Sequence, residues 1–105
     1  MPDFMFAYHR GKDPAAQGGS DSMARWQAWI GDLGEAMIDP GTPLGKSWIV
    51  SAAGASEEGP ADPLMGFSVV RADSLEAALE MAGSCPYLEM GTIEVAEMKQ
   101  MQPPA

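Results

Sequence analysis

Apolar side chains along this chain fall into short blocks separated by Gly, Pro and acidic stretches, and the spacing inside each block predicts its element. Asp3 to His9 (DFMFAYH) is dense in apolar and aromatic residues and closes on Arg10-Gly11, which predicts a strand buried on both faces. Residues 11–20 (GKDPAAQGGS) carry turn formers without a period, a connection of the kind that lies beside pockets. Ser20 or Asp21 can cap a helix in which Met23, Trp26, Ile30 and Leu33 recur at spacings of three and four, with Trp29 widening the stripe. Gly34 is placed to end that helix. Residues 36–45 (AMIDPGTPLG) are interrupted by Pro40-Gly41 and Pro43, so they predict a short, bent edge strand. Residues 48–51 (WIVS) predict another short strand, and residues 52–63, with three acids and two prolines, an exposed connection.

The second half is more regular. Residues 64–70 (LMGFSVV) form a continuous apolar run, which predicts a central strand with both faces covered. Asp73, with Glu76 three residues on, forms a capping-box pattern before Leu75, Ala78, Leu79 and Ala82, a helical stripe that Gly83 closes. Residues 91–98 (GTIEVAEM) alternate, with Ile93 and Val95 on one face and Thr92, Glu94 and Ala96 on the other. The order is strand, helix, one or two short strands, strand, helix, strand. It predicts an α+β fold, a ferredoxin-like antiparallel sheet with two helices on one face. Phe4, Phe6, Phe67, Val69, Ile93 and Val95 supply apolar residues for two sheet faces, so the face without helices is expected to pair with a second copy in a homodimer. Residues 1–99 are expected to make one domain, and 100–105 (QMQPPA) to fray.

Charge narrows the choice of partners. Six basic against fifteen acidic residues give a net charge of −9, which would repel a phosphate backbone, so nucleic acid is excluded as a direct partner. The absence of a signal-like N-terminus or long apolar run predicts a cytoplasmic protein with no membrane contact. Cys85 is the only cysteine; placed after the second helix it reads as structural. One His and scattered carboxylates predict no metal, and no motif for a nucleotide or other cofactor is present. Nine methionines suit an adaptable core or a soft pocket wall.

His9, at the end of the first strand, is the one side chain that titrates near neutrality, and it is the candidate general acid or base; a polar strand cap is the alternative. Asp39, before Pro40-Gly41, could orient His9 or simply start a turn. Glu94 faces either solvent or a pocket, and of Trp26 and Trp29 one could wall a ligand site while the other packs in the core. With Tyr8 and Pro43, these residues outline a pocket near the first strand and first helix.

Taken in order, several of these features resemble the YCII-related family of the dimeric α+β barrel superfamily, close to the DGPF-domain proteins. They are the aromatic strand ending at Tyr8-His9, the Trp-rich helix leading to Gly34, residues 39–45 (DPGTPLG), Gly66-Phe67, residues 72–78 (ADSLEAA), Cys85-Pro86-Tyr87 and Ile93-Glu94-Val95. In place of the Asp-Gly-Pro-Phe motif stands Glu58-Gly59-Pro60-Ala61. Better-studied members resemble hydrolase-like or lyase-like proteins with a pocket His in the first helix, and Trp26 stands nearest to that position here. The resemblance implies a small dimeric protein that binds a small organic molecule, or else a small cofactor-independent hydrolase-like or lyase-like enzyme; for the latter, the residue reading offers His9 as general acid or base with Asp39 orienting it.

Overall fold

Phe4, Phe6 and Tyr8 alternate along the first strand, and the same alternation sends all three side chains to one side of a sheet, where each is at most 3% exposed. The computed structural model describes residues 2–10, 22–56 and 62–99. Along these run β1 (Asp3–His9), α1 (Ser22–Leu33), β2 (Met37–Asp39), β3 (Ile49–Ser51), β4 (Gly54–Ser56), β5 (Leu64–Arg71), α2 (Leu75–Gly83) and β6 (Thr92–Met98). Four strands form an antiparallel sheet in the order β2-β5-β1-β6, the ferredoxin-like arrangement, and β3 pairs only with β4 in a separate two-stranded ribbon. The expected caps Ser20 and Asp21, the connection 11–20, the motif at 58–61 and the tail 100–105 lie outside the described residues.

Both helices cover one face of the sheet. Trp29 of α1 stacks on Phe6, with ring centroids 6.3 Å apart, and its indole N–H donates to the Met81 carbonyl and the Ser84 hydroxyl, tying α1 to the end of α2. From α2 only Ala78 and Ala82 are buried, beside Val70 and Phe4. Leu75 and Leu79, expected on the buried stripe, are 47% and 49% exposed. Small side chains let the helix lie close to the bulky rings of β1, and the larger leucines then fall on its flank. The capping-box expectation is also corrected: Ser74, not Asp73, is the N-cap, its hydroxyl accepting from the Ala77 amide at 3.2 Å. Gly34 ends α1 as expected, with a positive φ of 55°.

No described helix or strand covers the opposite face of the sheet, so among the described residues β1 and β5 are not enclosed on both sides. Cross-strand register places Met5 with Val69 and Ala96, and Ala7 with Phe67 and Glu94, on this face. Met5 is 36% exposed, while the small Ala7, between Phe67 and Glu94 in the register, is buried. A further correction concerns residues 52–63, which contain strand β4 and are therefore not a plain connection.

Candidate functional site

The segment after β2 cannot continue a regular ladder, because Pro40 and Pro43 lack amide protons. Asp39 instead accepts from the Gly41 amide at 2.8 Å, closing an Asx turn. Gly41 has φ 75°, and a Cβ there would sit 1.7 Å from the Phe67 carbonyl oxygen, so only glycine lets this turn press on β5. A bridge between Pro43 and Gly66 and a bond from the Leu44 amide to the Met65 carbonyl at 2.9 Å fix the far end. The result is one wall of a cavity of about 270 Å³. The rest of its lining comes from Tyr8 of β1, Met65, Gly66 and Phe67 of β5, Met23 and Trp26 of α1, and Pro86, Tyr87 and Met90. The Arg25 guanidinium forks onto the Glu89 carboxylate, holding α1 against the turn Pro86–Glu89 and keeping the Glu89 carboxyl below its ordinary range.

Two phenols dominate the interior. Tyr8 packs edge-on to Trp26 and tilted against Tyr87, with centroids 5.3 Å and 5.1 Å away. Its hydroxyl donates to Ser68 Oγ at 2.8 Å, and Ser68 donates in turn to the Pro40 carbonyl at 2.9 Å. This relay satisfies Ser68, which is 0% exposed within an otherwise apolar strand, and it ties the Asx-turn segment to the sheet. Tyr87 donates to the His9 carbonyl at 3.1 Å. Burial raises both phenol pKa values, so both groups stay protonated at neutral pH. Their protons are already engaged, and what they offer a ligand is oxygen lone pairs. Among the described residues no Asp, Glu, Lys, Arg or His lines the cavity.

His9 follows Tyr8 in the chain, and strand alternation turns its ring to the other face of the sheet. There Nδ1 donates to the Asp62 carbonyl oxygen at 3.1 Å and Nε2 donates to Glu94 Oε1 at 2.9 Å. A carbonyl and a carboxylate only accept, so both bonds together require a doubly protonated, cationic ring. The Asp62 carbonyl is the largest cause of a raised His9 pKa; burial acts against it, and the charges of Glu94 and Asp62 add to it. In that doubly protonated form the ring has no lone pair with which to take a proton, and it gains one only as pH rises through its raised pKa.

Of the residues singled out in the sequence, Tyr8, Trp26 and Pro43 line the cavity. Trp29 does not; it is 5% exposed and belongs to the core. Glu94 is the partner of His9 on the uncovered face. Asp39 does not orient His9: two strand spacings and five residues of register separate them, roughly 10 Å across and about 17 Å along the sheet. Cys85 is buried and its thiol is pushed up to about 11 by that burial, which leaves it inert. Sequence reasoning missed Ser68, whose signal was a lone hydroxyl inside LMGFSVV, and Met23, Met65 and Met90 at the cavity, which nothing in their spacing sets apart. Among the described residues no group of three or more His, Cys, Asp or Glu side chains could hold a metal ion, and no helix is long and apolar enough to cross a membrane.

The same fold occurs in the solved structure of 5-chloro-2-hydroxyhydroquinone dehydrochlorinase (TftG) from Burkholderia phenoliruptrix AC1100 in complex with 2,5-dihydroxybenzoquinone. The two share 17% identity at a TM-score of 0.57, over 93% of this chain and 95% of that one. No curated protein matches the sequence. The profile of the YCII-related domain matches residues 30–102, from within α1 to beyond the last strand. With that span matched, the chain belongs to the YCII-related family.

Proposed function

We propose that this protein binds a small, flat, uncharged organic molecule in the cavity between Tyr8, Trp26 and Tyr87. The observation that carries this reading is the lining itself: four aromatic residues and three methionines around about 270 Å³, with no ionised side chain among the described lining residues. A cavity of that volume takes about one substituted ring. An anion would meet phenol oxygens and a chain of net charge −9, whereas a ring bearing a hydroxyl or amino donor would meet acceptors. The neighbour of like fold, whose own complex holds a one-ring molecule, supports the ligand size.

In this reading the protein is a binder before it is a catalyst, since the His9 ring stands on the other face of the sheet from the cavity and both its nitrogens are occupied. Residues 1–99 act as one cytoplasmic domain, and two copies meet through the uncovered sheet face, where Met5, Phe67 and Val69 would leave water.

Trp26 reports on the site directly. Titrating the protein with uncharged phenols and anilines should quench or shift tryptophan fluorescence, while the matching benzoates should bind at least tenfold more weakly. Trp26→Ala should abolish the tight binding and leave the circular dichroism spectrum unchanged. Tighter binding of the benzoates, or affinity untouched by Trp26→Ala, would sink the reading.

A further inference from the structure

The β3–β4 ribbon stands apart from the main sheet, its two strands pairing only with each other among the described strands. All six of its strand residues are exposed, Val50 at 76% and Ile49 at 44%, and the preceding Trp48 is 54% exposed. An isolated two-stranded hairpin is marginal in water, so a ribbon carrying this much apolar surface is stable only with something against it.

Its register says which edge is open. Ser51 faces Gly54 across the two-residue turn Ala52-Ala53, so this closing pair exchanges hydrogen bonds. Alternation then makes Val50 and Ala55 a non-bonded pair, and the Val50 N–H and C=O point outward from the β3 side. Exposed edges are ordinarily blunted by a charge, a proline or a bulge. Residues 47–56 (SWIVSAAGAS) contain no proline and no charged side chain, in a chain that elsewhere carries fifteen acids.

We infer that the outer edge of β3 pairs antiparallel with the same edge of a second copy, about a two-fold axis at Val50. The fit is isologous: Val50 of each copy donates its amide to the Val50 carbonyl of the other, completing a four-stranded ribbon. Charge favours a second copy as the occupant, because two chains of net charge −9 approach most easily where neither carries an acid. The large side chains Trp48, Ile49 and Val50 all lie on or beside β3, while β4 offers only Gly, Ala and Ser. This contact is additional to the sheet-face pairing and does not depend on it.

The test uses the full chain and two substitutions. Val50→Pro removes the outward amide without touching the ladder of the ribbon, and Val50→Cys places a thiol at the axis, where paired Cα atoms about 5.5 Å apart permit a disulfide. Native Cys85 is buried, so the new thiol is the only accessible one among the described residues. Light scattering at micromolar concentration should show the wild-type mass falling by half in Val50→Pro. Mild oxidation should convert most of Val50→Cys to a covalent dimer with an unchanged far-ultraviolet spectrum. A wild-type monomer overturns this contact and the sheet-face pairing together. A wild-type oligomer whose mass survives Val50→Pro, and whose Val50→Cys form does not cross-link, overturns the edge pairing and leaves the sheet-face contact standing.

Discussion

The two faces of the central sheet are built from alternate residues of the same strands and differ in almost every physical respect. On the helix side, Phe4, Phe6, Tyr8, Ser68 and Val70 are all buried, and the one polar side chain among them bonds to its neighbours. On the other side, Met5, Phe67 and Val69 stay partly in water, and the polar side chains include His9 with its partner Glu94 and the Asp3–Arg71 pair. Tyr8 and His9 are adjacent in the chain, yet one faces an apolar cavity and the other the open face of the sheet. A residue's chemistry here is set by strand parity before it is set by residue type.

The contrast can be broken most severely at the core. Phe6→Ala removes a fully buried ring stacked on Trp29 and should cost about 3–5 kcal/mol in urea unfolding, whereas Met5→Ala, one residue away on the open face, should cost under about 1 kcal/mol. Comparable losses from the two would show that the open face is covered in solution. Ser68→Ala should be intermediate: it strands the buried Tyr8 hydroxyl and the Pro40 carbonyl, at about 1–3 kcal/mol, and loosens the wall of residues 40–44. The companion readout is ligand affinity, which should fall in Ser68→Ala and stay intact in Met5→Ala.

The smallest effect is the pH dependence of the open face. His9 has a folded-state pKa raised above the ordinary value. Its contribution is therefore fully present below about pH 6.5 and is lost as pH rises through the folded value. Because Glu94 is 68% exposed, the pair should contribute only a few tenths of a kcal/mol. Unfolding midpoints of wild type and His9→Gln should converge above that pH and separate below it. Equal separation at every pH would mean that the ring acts by packing alone. Cavity affinity should be indifferent to His9→Gln, and a steep loss there would tie the two faces together.

How much of this could be read beforehand follows from what each signal depends on. The strands, both helices and the ferredoxin-like order were legible because periods of two and of three to four survive any context, and Gly34 marked a real stop. Burial was less legible: LMGFSVV looks enclosed on both sides because Phe67 and Val69 are as apolar as Val70, although only Gly66, Ser68 and Val70 face the helices. The pocket was half legible. Tyr8, Trp26 and Pro43 announce themselves by type, but the partner of His9 depends on β6 lying beside β1, a contact separated by 85 residues that no local pattern carries. Asp39 illustrates the opposite error, since its Asx turn was the plainer reading of Asp-Pro-Gly and the one the structure adopts.

Gly41 fixes more than a turn. Its main chain touches the main chain of β5 at Phe67, so the width of the cavity at that wall is a backbone dimension that no drift in side-chain identity can alter. Divergence of ligand preference among descendants of this sequence would then fall to Met23, Met65 and Met90 in its lining. Each is a codon that one nucleotide change converts to leucine, valine or threonine. The frame is held constant by a residue with no side chain, and variation is left to residues whose side chains are the easiest to exchange.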